Sequence, residues 1–177
     1  MIVSAAAELF RAQGYRGTRI EDIGAAVGMT GPAVYRHFPS KEALLAELLQ
    51  RAVERAQRDL QTAVEAGLPA RQTLERIVRG SVAHAIEESA LVAMVEREAH
   101  NLGPAAFRRT ARQRRALVAA WITALRAVRP DLDEARARAV VTGVAALITS
   151  CSQHRGLDPE AAHELYTRMA MAALLAR

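Results

Sequence analysis

Lysine is almost missing from this chain: Lys41 stands alone, and the other 23 of the 24 basic residues are arginine. So much arginine beside abundant alanine is the composition of a GC-rich genome. Arginine as such is therefore no sign of phosphate recognition, and position has to carry that inference. Cysteine is limited to Cys151, which excludes an intrachain disulfide. It reads either as a small buried apolar residue or as a redox-sensing thiol. No apolar run is long enough to cross a bilayer, because arginines and glutamates interrupt every candidate. No basic-then-apolar leader is present, since Met1 runs almost directly into an amphipathic helix. The expectation is a cytoplasmic protein without a membrane partner. Nucleophile elbow, phosphate loop, HExxH and paired catalytic carboxylates are all missing, which argues against an enzyme, and no cofactor is expected. His84, Glu98, His100, Cys151 and His154 are of metal-binding type, but no spacing among them matches a zinc or metal-sensor motif. No metal is expected either.

What is present is a helical chain of 177 residues with 51% hydrophobic content, ample for a sizeable core. The net charge of +5 fits a nucleic-acid partner. Periodicity and caps predict nine helices and no strand, so the fold class is all-α. Ile2 to Gln13 forms the first, stopped by Gly14. Ser40 to about Ala66 is long and amphipathic, ended by Gly67-Leu68-Pro69. Arg71 to Ser89, Leu91 to Leu102 and Ala105 to Val128 follow. Asp131 with Glu134 reads as a capping box for a helix reaching about Cys151. Asp158-Pro159-Glu160 opens the last.

The segment Ile20 to Lys41 organises the rest. Thr18 and Glu21 form a Thr-x-x-Glu cap ahead of Ile20, Ile23 and Val27 at helical spacing, with Gly24 beside them. Gly28 supplies the positive φ of a tight turn. Thr30 caps a second short helix with Pro32 in its first turn. That helix buries Val34 and Phe38 and presents Ala33, Tyr35, Arg36 and His37. Two short helices joined by a glycine turn make a helix-turn-helix, whose second helix fits the major groove.

These residues resemble the DNA-binding domain of the TetR family of transcriptional repressors. The similarity rests on Thr18 to Gly24, on Val27 to Phe38, and on Ser40-Lys41-Glu42-Ala43-Leu44-Leu45. Ala5-Ala6-Ala7-Glu8-Leu9-Phe10 with Gly14-Tyr15 is similar to that family's first helix. The resemblance implies a nine-helix repressor, with a three-helix head over residues 1–45 and a helical body for ligand binding and dimerisation over 46–177. It implies phosphate contacts at Thr18, Tyr35, His37 and Lys41, and base-edge contacts at Thr30, Gly31, Ala33 and Arg36. Gly31 departs from the pattern, where members often carry a longer polar or basic side chain, which shifts specificity towards DNA shape. Family members usually carry a few polar or basic residues before the first helix, whereas this sequence starts at its first turn.

The implied partners are double-stranded operator DNA, a second copy of the chain and an unidentified small-molecule effector. A DNA-binding protein of the same fold with no small-molecule inducer, ligand-independent or regulated by a protein partner, is the alternative. In the body, Arg114 falls on the line Phe107, Ala111, Val118, Trp121 and Leu125, and Glu98 flanks an apolar stripe on its own helix. A Glu98–Arg114 pair, an arginine extending to solvent and charges facing a ligand cavity are the readings of this pattern. The ligand-site candidates are accordingly Arg114, Trp121, Glu98, Met94 and Val118, for a hydrophobic or amphipathic molecule. Val140, Gly143, Val144, Leu147, Ile148 and Cys151, with Leu165, Met169 and Ala173, give small-residue faces that either complete the monomer core or, as the family resemblance implies, build a dimer interface.

Overall fold

A computed structural model describes residues 1–87, 102–151 and 156–176. Its described residues form eight helices and no strand: α1 Ile2–Gly17, α2 Ile20–Ala26, α3 Gly31–His37, α4 Lys41–Glu65, α5 Ala70–Glu87, α6 Pro104–Val128, α7 Glu134–Ser150 and α8 Pro159–Leu175. The count is eight where nine was expected, because the helix expected over Leu91 to Leu102 lies, save Leu102, outside the described residues. The chain falls into two compact units, Met1–Val53 with Ala90–Ala111, and Glu54–Ser89 with Arg112–Arg177.

The first unit is built on Phe10, Ile23, Val34, Leu44 and Leu45, all essentially inaccessible to solvent. They come from four different helices, so none of the short helices has to be stable alone. A helix of seven residues is too short to persist in water, and α2 and α3 depend on this shared core. Burial of each such side chain contributes about 1.5–3 kcal/mol. Phe10 and Tyr15 meet edge to face with ring centroids 5.2 Å apart. α1 is broken at Gly14, where φ is +76°, beyond which one further turn carries Tyr15 into the core.

The second unit packs α5 against α7 and α8, which also pack on each other. Leu74, Val78 and Val82 of α5 meet Trp121 and Leu125 of α6, Val141 and Val144 of α7, and Tyr166 and Leu174 of α8. Arg129, after α6, forks onto Asp131 at 2.7 and 2.8 Å and also donates to the Ala176 carbonyl at the end of α8. Asp131 therefore does not cap α7 as expected; Asp133 does, accepting from the Arg136 amide at 2.7 Å. A carboxylate held by a neighbouring guanidinium is taken from capping, and the acid two residues on serves instead. Asp158 caps α8 as read from the sequence, accepting from the Ala161 amide at 2.9 Å. None of the described helices is long and apolar enough to cross a membrane.

Candidate nucleic-acid interface

The helix-turn-helix closes through one glycine and turns on another. At Gly28 φ is +69°, the conformation that lets α2 stop and reverse. The returning chain then passes over Gly24, whose carbonyl accepts from Val27 at 3.0 Å and Met29 at 2.8 Å. A Cβ on Gly24 would lie 2.7 Å from the Met29 carbonyl oxygen and 3.3 Å from Val34 Cγ2. Thr30 then starts α3, its hydroxyl accepting from the Ala33 amide at 3.4 Å.

α3 buries Gly31 and Val34 and half-buries Ala33, while Thr30, Pro32, Tyr35, Arg36 and His37 are exposed. Arg36 and His37 lie in its last turn, where positive charge is favoured by the helix dipole. The exposed face thus offers hydroxyls at Thr30 and Tyr35, a guanidinium at Arg36 and an imidazole at His37. Groups of these types are able to donate hydrogen bonds to phosphates, and a guanidinium has the fork that matches a guanine edge. Two exposed acids, Glu21 and Asp22, occupy the first turn of α2.

Three expected contacts sit differently. Gly31 is buried, and a Cβ there would lie 3.3 Å from Glu21 Oε1 and 3.4 Å from its Cγ. Glu21 thus fills the space that a side chain at position 31 would take. Thr18 is 1% exposed and donates through Oγ1 to the Gly14 carbonyl at 2.9 Å. Its hydroxyl therefore ties the end of α1 and does not cap α2. That role passes to Arg19, whose amide donates to Asp22 Oδ2 at 3.0 Å, one residue beyond the expected Thr18–Glu21 pairing. Lys41 is half-buried, with Nζ donating to the Tyr15 carbonyl at 2.7 Å and the Thr18 carbonyl at 3.0 Å. The same nitrogen lies 4.5 Å from the centre of the Tyr15 ring.

Of the expected ligand-site residues, Glu98 and Met94 lie outside the described residues. Trp121 is buried at 7% exposure and Val118 packs against the same core. Arg114 is exposed, as is Phe107 at 55%. The premise of a buried charge on that line is corrected: along α6 the inward-facing line runs through Thr110, Gln113, Leu117 and Trp121, one step round the helix. An apolar stripe drawn through Phe107 hides polar Thr110 and Gln113 from a reading by hydrophobicity. Gln113 Oε1 and, on α8, Thr167 Oγ1 are buried without a hydrogen-bond partner among the described residues. Cys151 is buried, and burial pushes its thiol pKa up, which suits the apolar reading. No cluster of potential metal ligands occurs among the described residues.

The family model for bacterial regulatory proteins of the tetR family matches residues 2–48, which cover α1 to α3 and the first turns of α4. Over these residues the chain matches the N-terminal domain of tetR-family regulators. A curated relative of this chain is the HTH-type transcriptional repressor KstR2 of Rhodococcus jostii (strain RHA1), 32% identical over 101 residues, 57% of the chain and 50% of the relative. The match thus spans half the length of that relative. Solved structures share the fold over nearly the whole chain. The TetR-family regulator PfmR from Thermus thermophilus superposes with a TM-score of 0.85 at 23% identity, covering 99% of both chains. KstR2 of Mycobacterium tuberculosis, described as a ketosteroid transcriptional regulator, gives 0.79 at 22% identity over 98% of this chain and 91% of its own. AibR, in complex with isovaleryl coenzyme A and operator DNA, gives 0.79 at 18% identity over 95% of each chain.

Proposed function

We propose that this chain is a dimeric transcriptional repressor that grips a palindromic operator through α3 and is released by a small effector held in its body. The carrying observation is the exposed set Tyr35, Arg36 and His37 on a capped second helix whose opposite side is buried. The relatives named as repressors or regulators support the reading, and AibR supplies the case of a fold-mate that meets both an acyl-coenzyme A and operator DNA. Thr30, Ala33 and Arg36 read base edges, and Tyr35 and His37 hold phosphates. Twofold symmetry of the protein demands inverted half-sites about 34–36 Å apart. In the body, Gln113 Oε1 and Thr167 Oγ1 are the buried polar atoms that would orient a largely apolar effector beside Trp121.

Selection from a randomised duplex library tests this. The wild type is expected to enrich an inverted repeat. Tyr35→Phe should weaken binding to selected and unrelated duplexes alike. Arg36→Ala should in addition flatten the preference at one base of each half-site, a loss of about 1–3 kcal/mol of discrimination. Enrichment of no sequence, or of one without twofold symmetry, would overturn the proposal.

A further inference from the structure

The helix-turn-helix is the chain between Thr18 and Lys41, and the Lys41 ammonium joins its two ends. Nζ sits 3.0 Å from the Thr18 carbonyl, which opens the segment, and 2.7 Å from the Tyr15 carbonyl in the last turn of α1. Carbonyls at a helix C-terminus have no partner within the helix, and a cation there is favoured both by hydrogen bonding and by the dipole. Lys41, first residue of α4, thus caps α1 from 26 and 23 residues away. Its remaining side lies over the Tyr15 ring, so two carbonyls and a π face surround the charge. Tyr15 is itself fixed in the core at 6% exposure. The adjoining Thr18 hydroxyl adds a bond to the Gly14 carbonyl, so three successive features of the α1–α2 joint are tied down.

We infer that Lys41 is a positioning residue, which closes the Thr18–Lys41 segment into a ring and so fixes the angle of α3, and that it does not neutralise a phosphate. An ammonium has three donors; two of them are taken by internal carbonyls and its remaining side faces the Tyr15 ring, so none is left aimed at a phosphate. Arginine has donors in a planar fork and does not reproduce a compact ammonium between two carbonyls, although it serves a phosphate well. The inference rests on the DNA-binding reading above for its consequence, but its structural half stands on the head alone.

The test compares Lys41→Met and Lys41→Arg with wild type on two duplexes, the one selected by the wild type and an unrelated sequence of equal length. Both variants are expected to lose specific affinity by roughly tenfold or more. Affinity for the unrelated duplex and the slope of log affinity against log salt should stay as in the wild type. A phosphate contact gives the opposite pattern: Lys41→Met would lower both affinities and cut the slope by about one per subunit, with Lys41→Arg near wild type. That result would overturn the inference. Amide hydrogen exchange decides the structural half without DNA. Exchange in Lys41→Met should accelerate over α2 and α3, with the second unit unchanged. Wild-type exchange in α2 and α3 would overturn the inference. If the wild type selects no duplex, the repressor reading fails and the exchange measurement alone decides the role of Lys41.

Discussion

A single methyl group at position 24 would have to enter space already held by the Met29 carbonyl oxygen, 2.7 Å away. Backbone cannot swing aside as a side-chain end can, so the returning chain must lift off α2. Gly24→Ala is expected to destabilise the first unit by about 1–3 kcal/mol, as overpacking of a tight joint does. Amide exchange read over α1 to α3 would show it, and protection equal to wild type would contradict it. Alanine is otherwise the better helix former, worth about 1 kcal/mol over glycine. A stabilised variant would therefore mean that this propensity outweighs the clash. Position 31 obeys a different rule, because the obstacle there is the flexible Glu21 side chain, which can move.

At the scale of the element, α4 opens with a polar cluster that titrates. The Glu42 backbone amide, then the Ser40 hydroxyl, then the Tyr15 hydroxyl hold the Glu42 carboxyl below the usual carboxylate range, against a small opposing effect of burial. A depressed carboxyl contributes stability above its unfolded pKa, and this is lost as pH falls through the folded value. Acidification below the ordinary carboxylate range should loosen the start of α4, and Glu42→Gln should remove that part of the pH dependence from head melting curves. Glu42 is exposed, so the effect is small. This element scale is also where the sequence was most legible. Hydrophobic spacing with Gly28, Thr30 and Pro32 located α2 and α3 correctly, because caps and turns are encoded by neighbours within four residues. Donors whose partners lie far along the chain were not legible. Lys41 finds carbonyls 23 and 26 residues away, and nothing in local spacing announces that its donors are already in use. The rotation of α6 was lost for a related reason. Apolar Phe107 outweighed Gln113 in the pattern, while packing turned the polar residue inward.

At the scale of the whole molecule, charge and small residues are unevenly placed. α6 carries six arginines and no carboxylate, so this helix alone exceeds the net charge of +5 of the entire chain. α7 and α8 instead carry small residues on their surface, with Gly143, Ala146, Ala172 and Ala173 exposed and Met169 at 42% exposure. Val144 and Ile148 on the same elements belong to the buried core of the second unit, so part of the face expected for dimerisation is already used within one chain. A Cβ on Gly143 would meet nothing within 4 Å. Gly143→Arg should therefore fold normally as a monomer, yet block close approach of a second copy. Sedimentation should show a monomer that has lost operator affinity while keeping its helical content, and a dimer of wild-type affinity would rule that face out. One further property follows from where the aromatic side chains fall. The chain has a single indole, Trp121, buried in the second unit, whereas the first unit holds Tyr15 and Tyr35. Indole emission therefore reports the second unit, where Trp121 is buried. The gap between the indole emission and far-ultraviolet dichroism melting curves would measure how independently the first unit unfolds.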